Sequence, residues 1–335
     1  MADYSHSHND GDVNPHSHTH SVVDPALLIS KRGIWALKWS LLGLTATAVF
    51  QLVIVFHSGS VALLADTIHN FGDALTAVPL WIAFRMSVWK PTKRYTYGYG
   101  RVEDLAGIAI VLIILLSAIF AGYESITRLF HPQKVQFLWA VMAASLIGWA
   151  GNEAVAIFRI RVGKEIQSAA LIADGYHARV DGLTSLAVFF GALGVYLGYP
   201  LADPLVGLII IAAILRIVWA SGKAVIIHLV DGVDPAIPNE IQDAAMHTEG
   251  VREVTQVRVR WSGHRLYAEI NIAVDPGISV EAGHHITTTV RHHLLHRCTY
   301  LSNAVIHVDP INASGEEHHY VEGHDYGNLS PHSHQ

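Results

Sequence analysis

Two nine-residue segments of this chain share one pattern. Ala65-Asp66-Thr67-Ile68-His69-Asn70-Phe71-Gly72-Asp73 and Ala173-Asp174-Gly175-Tyr176-His177-Ala178-Arg179-Val180-Asp181 both read Ala-Asp-x-x-His-x-x-x-Asp. On a helix, positions i, i+3 and i+7 share a face, and a histidine and an aspartate four apart stand one turn from each other, where both can hold one ligand. Together His69, Asp73, His177 and Asp181 offer two imidazole nitrogens and two carboxylate oxygens. That set suits a tetrahedral Zn²⁺ and is open to Co²⁺, Ni²⁺ or Cd²⁺. Ca²⁺ and Mg²⁺ want six or more oxygens and fit it poorly. Asp66 and Asp174, one turn before each histidine, could add a ligand, orient an imidazole through its second N–H, or relay protons.

Both segments sit in apolar runs. The 335 residues are 51% hydrophobic and only 15% charged, although 23 are histidine; soluble domains average roughly 25% charged residues. Mean hydropathy is +0.33. Six runs are near or above the ~20 residues that cross about 30 Å of hydrocarbon: Trp35–Phe56, Val61–Phe84, Leu105–Ile126, Gln136–Phe158, Ala169–Gly198 and Leu201–Ala220. An aspartate at the bilayer centre costs ~2.5–3.5 kcal/mol, so the four in these two motifs must face the bundle interior. Hydrogen bonding between helices could explain one copy alone; two copies at comparable depth point to a metal site. Glu153 is a further acid in the fourth run, without an assigned role, and Arg216 in the sixth is expected to snorkel to the inner surface.

Positive charge orients the spans. Lys31, Arg32, Arg85, Lys90, Lys93, Arg94, Arg101, Arg159, Arg161, Lys164 and Lys223 fall on the amino-terminal side, against Arg128 and Lys134 on the other. Both termini are therefore expected in the cytoplasm. No small-residue cleavage site follows the polar start, so no signal peptide is read. The formal net charge of −6 leaves no footprint for nucleic acid. The single Cys298 excludes an intramolecular disulfide framework and a cysteine-rich metal cage.

After Lys223 the pattern changes. Asn239–His247 reads as a helix, Val257–Trp261 and Leu266–Val274 alternate as strands about the turn Ser262-Gly263-His264, Glu281–His296 reads as a helix, and Ala304–Asp309 as a last strand. The expected organisation is a polar tail at 1–28, a six-helix membrane domain at 29–222, an α+β domain of ferredoxin-like αββαβ order at 223–312, and a second tail at 313–335. The tails lack periodicity and read as disordered. Their histidines (His6, His8, His16, His18 and His20, then His318, His319, His324, His332 and His334) are spaced for loose capture of metal. His292, His293 and His296 read instead as a solvated helix face, with His292 and His296 together and His293 turned partly away.

Six spans, the paired motif and the small tail domain resemble the cation diffusion facilitator family over residues ~30–312, as do Gly98-Tyr99-Gly100-Arg101-Val102-Glu103 and Ala202-Asp203-Pro204. The resemblance implies export of divalent transition metals, mostly Zn²⁺, from the cytoplasm in exchange for protons. It also implies a homodimer joined partly through the tail domain, with the transport site on His69, Asp73, His177 and Asp181. A histidine at position 69 resembles members that favour zinc over cadmium. A second metal site that some relatives carry before the third span is expected to be absent, because Tyr99 stands at its histidine position. In the tail domain His284, His307 and Asp309 match the family's metal-binding positions, while Thr255 and Asn271 replace two others.

Histidine and aspartate bind metal only when deprotonated, so metal and protons compete for the same atoms and an alternating site becomes an antiporter. The expected setting is an integral membrane protein among lipid, in the plasma (inner) membrane if bacterial. A metal-responsive membrane regulator and a passive metal channel are the alternatives. An enzyme is not expected: His-Glu-x-x-His is absent, His292-His293-Leu294-Leu295-His296 is the only near match to a desaturase box, and four protein ligands leave no open coordination position.

Overall fold

In the computed structural model the described residues are 25–58, 77–130, 138–199, 201–298 and 300–315. Five of their helices are long and apolar enough to cross a membrane. They are α1 (Pro25–Ser58), α3 (Arg101–Phe130), α4 (Leu138–Glu165), α5 (Ala169–Tyr196) and α6 (Ala202–Leu229). Helix α2 (Ala77–Ser87) carries the C-terminal part of the second expected span, whose earlier residues lie outside the described ones.

The helices run further than the apolar stretches that signalled them. Helix α4 continues past Phe158 to Glu165, and α6 continues past Ala220 to Leu229. A hydropathy window stops where charges begin, whereas a helix stops where its backbone hydrogen bonds end. Lipid is the natural surrounding for the bundle's outer surface, where Phe120, Ile209 and Trp219 are exposed.

Helix α5 is central: it packs along α4 on one side and α6 on another, and also touches α3. Close approach to α4 requires Gly175. A Cβ there would stand 2.7 Å from Ile160 Cγ1 and 2.9 Å from the Ile160 backbone nitrogen, the small-residue contact by which membrane helices approach each other. Ser168 caps α5, its Oγ accepting from Leu171 N at 3.1 Å.

The C-terminal domain follows as α7 (Ala236–Met246), β1 (Glu253–Ser262), β2 (Arg265–Val274), α8 (Val280–Arg297) and β3 (Leu301–Pro310), which is the αββαβ order read from the sequence. Strand order is β1-β2-β3, with β2 antiparallel to β1 and parallel to β3. Parallel pairing needs a crossover, and α8 supplies it. Alternation along the strands sends Leu266, Ala268, Ile270 and Ile272 into a core shared with Ile241, Val290 and Leu294.

Candidate transport site

The second copy of the repeated motif lies on α5. At 1.5 Å per residue, His177 and Asp181 stand about 12 and 18 Å along the helix from Ala169. His177 is buried, its Nδ1 is 3.7 Å from Asp181 Oδ1, and the Asp181 side chain is 11% exposed. The spacing is too long for a hydrogen bond. His69, Asp73 and Asp66, the first copy, lie outside the described residues, so the structure speaks to one half of the four-residue set.

Asp174 meets a partner that the sequence reading did not pair with it. Arg159 of α4 turns inward, and its NH1 stands 3.0 Å from Asp174 Oδ2, with side chains 1% and 0% exposed. Arg159 Nε also donates to Ser40 Oγ of α1 at 2.9 Å. Three helices thus meet at one buried cation. Neither Asp174 oxygen has hydrogen-bond geometry to a partner among the described residues, so the contact with Arg159 is an ion pair rather than an aligned bond. Glu153 is gripped by Arg179 in a two-pronged pair at 3.1 and 2.6 Å. Arg216 is on the exposed side of α6.

Buried polar side chains continue inward from the motif. Gln51 of α1, Asn152 of α4 and Ser185 of α5 are all at most 5% exposed, and Gln51 Nε2 donates to Ala144 O at 3.2 Å. None of the three belongs to a repeated motif in the sequence. The available signal was a lone polar residue inside an apolar run, the situation in which membrane cost marks function.

In the C-terminal domain β3 brings His307 and Asp309 together, Nε2 to Oδ1 at 2.9 Å. Asn271 is the register partner of His307 on β2, and Thr255 Oγ1 donates to Asn271 O at 3.5 Å, so the two replaced positions do lie beside the retained pair. His284 is exposed on α8. Among the described residues no three His, Cys, Asp or Glu side chains are grouped closely enough to hold a metal. His292 and His296 have ring centroids 4.3 Å apart, while His293 turns to Thr248, Nδ1 to Oγ1 at 3.1 Å. With His247 they line a shallow open cavity. The ten tail histidines lie outside the described residues.

Among the described residues outside the membrane helices, two ionisable environments depart from the ordinary. Hydrogen bonds from Arg252 hold the Asp275 carboxyl below the usual carboxylate range. Burial, with Glu240 nearby, pushes the Cys298 thiol up, which leaves it an unreactive packing residue.

Residues 37–230 match the cation efflux transmembrane domain, and residues 233–311 match the cation efflux protein cytoplasmic domain. The chain is 54% identical to the "Probable cation efflux system protein" of Mycobacterium tuberculosis, over 88% of this chain and 90% of that protein. It is 26% identical to metal tolerance protein 2 of Oryza sativa subsp. japonica, over 81% of this chain and 78% of that one. Among solved structures it is similar to the C-terminal domain of a MamM variant in its manganese form, at 31% identity, covering 22% of this chain and 95% of that chain with a TM-score of 0.22. With the membrane and C-terminal family models both matched, the chain belongs to the cation diffusion facilitator family of metal-cation efflux proteins.

Proposed function

We propose that this protein exports divalent transition-metal ions, Zn²⁺ foremost and Co²⁺, Ni²⁺ or Cd²⁺ within the same ligand class, from the cytoplasm in exchange for protons, through a site made of His69, Asp73, His177 and Asp181. The observation that carries this is the 3.7 Å between His177 Nδ1 and Asp181 Oδ1 on a buried helix face. Two ligands each ~2.0 Å from a tetrahedral ion stand about 3.3 Å apart, so this half-site needs only a small adjustment to hold one metal.

Charge balance supports the same set. Two carboxylates neutralise a divalent cation, while Asp174 already has its charge offset by Arg159. On this reading Asp174 shapes the site by holding α5 to α4, and Asp66 is the acid left to orient His69 or move a proton. Imidazole and carboxylate must each lose a proton before binding metal, so a lower pH outside displaces the metal there and near-neutral cytoplasm loads it.

The charge asymmetry of the loops favours both termini, the His-rich tails and the C-terminal domain on the cytoplasmic side. The tails would then capture metal at the loading face. The match to a family dimer domain favours a homodimer, and the bacterial relative favours the plasma membrane. Purified protein in liposomes with a metal-sensitive dye inside tests the proposal. Zn²⁺ uptake should rise with an imposed pH gradient and collapse when the gradient is dissipated. Uptake indifferent to the gradient would make the protein a passive channel, and metal binding without uptake a regulator.

A further inference from the structure

The turn Ser262-Gly263-His264, which joins β1 to β2, does not face solvent. It inserts between α1, α2 and the start of α3, and His264 is 1% exposed. Its Nδ1 is 2.7 Å from Glu103 Oε2, and its Nε2 is 3.0 Å from Ser30 Oγ. Because a carboxylate only accepts, Nδ1–H donates to Glu103, while Nε2 shares a hydrogen bond with the Ser30 hydroxyl, which can give or take the proton. The imidazole also lies 5.9 Å from the Phe84 ring.

Backbone close to the turn is shaped for this insertion. Gly263 N donates to Asp104 Oδ2 at 3.1 Å. Gly263 has φ +59, and a Cβ there would stand 2.7 Å from Glu103 Oε2. A Cβ on Gly100 would meet the Ser262 carbonyl oxygen at 2.6 Å. Both glycines are needed so that the turn can approach the first turn of α3. The Gly98–Glu103 segment, singled out in the sequence without a physical role, is therefore the receptor for the hairpin.

Glu103 has a second oxygen, and it leads towards the transport helix. Ser168 Oγ donates to Glu103 Oε1 while accepting from Leu171 N as the N-cap of α5. Ser168 is fully buried. From Ser168 the helix rises about 13 Å to His177. A continuous hydrogen-bonded path thus joins the C-terminal hairpin to the first turn of the helix bearing His177 and Asp181, with one carboxylate as its middle member.

We propose that His264, Glu103 and Ser168 form a buried positioning relay through which the C-terminal domain sets the pose of α5. The relay rests on the reading of His177 and Asp181 as half of the transport site. Its role is positional: none of the three residues touches the metal. Docking that is only structural would hold the domains together without reaching α5.

The two alternatives separate in the full-length protein in nanodiscs without metal, by hydrogen exchange. His264→Ala should speed exchange of amides 168–176 roughly tenfold, as local opening of the α5 first turn becomes easier, and leave β2 and β3 unchanged. His264→Asn, whose amide N–H reaches Glu103 in place of Nδ1–H, should restore protection. In liposomes His264→Ala should lower the maximal Zn²⁺ flux several-fold with KM held within about twofold, and add nothing further in a Ser168→Ala background. Unchanged exchange in α5, loosening of the whole sheet, failure of the asparagine variant to rescue, or additive effects with Ser168→Ala would each overturn the relay. A wild-type protein without flux would overturn the transport reading instead, and the exchange result would still decide the relay.

Discussion

Arg159 meets Asp174 between two membrane helices, NH1 to Oδ2 at 3.0 Å, with side chains 1% and 0% exposed. On the C-terminal domain Arg252 grips Asp275, NH2 to Oδ2 at 2.5 Å, with side chains 55% and 52% exposed. By geometry alone the exposed pair is the better bond, since two guanidinium nitrogens donate to the two carboxylate oxygens, one to each. Surroundings reverse the order. Water already solvates the exposed charges, so their union gains little. The buried charges have no water to solvate them, and Ser40 offers Arg159 a neutral oxygen rather than a counter-charge, so removing either one strands the other in a low-dielectric interior. Between them stands Arg179 with Glu153, 30% and 28% exposed. The three pairs form a series in burial.

Breaking that series gives graded outcomes. Arg159→Met leaves Asp174 alone and should cost about 3–5 kcal/mol, read as a fall in thermal unfolding temperature of the detergent-solubilised protein. Replacing Asp174 by Leu in the same chain should recover most of that loss, because an apolar pair of similar volume tolerates burial. No recovery would mean that Arg159 serves Ser40 rather than Asp174. Glu153→Gln should cost about 1 kcal/mol by the same measurement, as befits a half-exposed pair. A loss as large as that of Arg159→Met would place Glu153 in the machinery of the site.

Asp275→Asn should leave unfolding at pH 7 within error of the parent. Its pH dependence has a definite sign. Folding lowers the Asp275 pKa, so the pair contributes above the ordinary aspartate pKa, and the contribution disappears as pH falls through the lowered value. Acid titrations of the parent and the variant should therefore differ at higher pH, if at all, and converge in strong acid. A difference that grows with acid would contradict the assignment.

The same contrast explains what could be read before any coordinates. The repeated Ala-Asp-x-x-His-x-x-x-Asp is local and periodic, so its face on α5 follows from helix geometry alone. The αββαβ order followed from alternation and from the Ser262-Gly263-His264 turn in the same way. Arg159 was counted with the cytoplasmic flank because an arginine near a span end normally meets water or headgroups. Its inward turn depends on Asp174 and Ser40, which belong to two other helices. Glu103 and His264 are 161 residues apart, so a turn legible as a turn could not announce where it docks. Local pattern carries the motif; only packing reveals the partners.

Asp181 is where the central claim is most exposed. Zn²⁺ flux into liposomes under a fixed pH gradient should be lost in Asp181→Ala, while thermal unfolding and hydrogen exchange stay close to those of the parent. Gradient-driven flux that survives Asp181→Ala in a folded protein would contradict the account and move the transport site away from this face of α5.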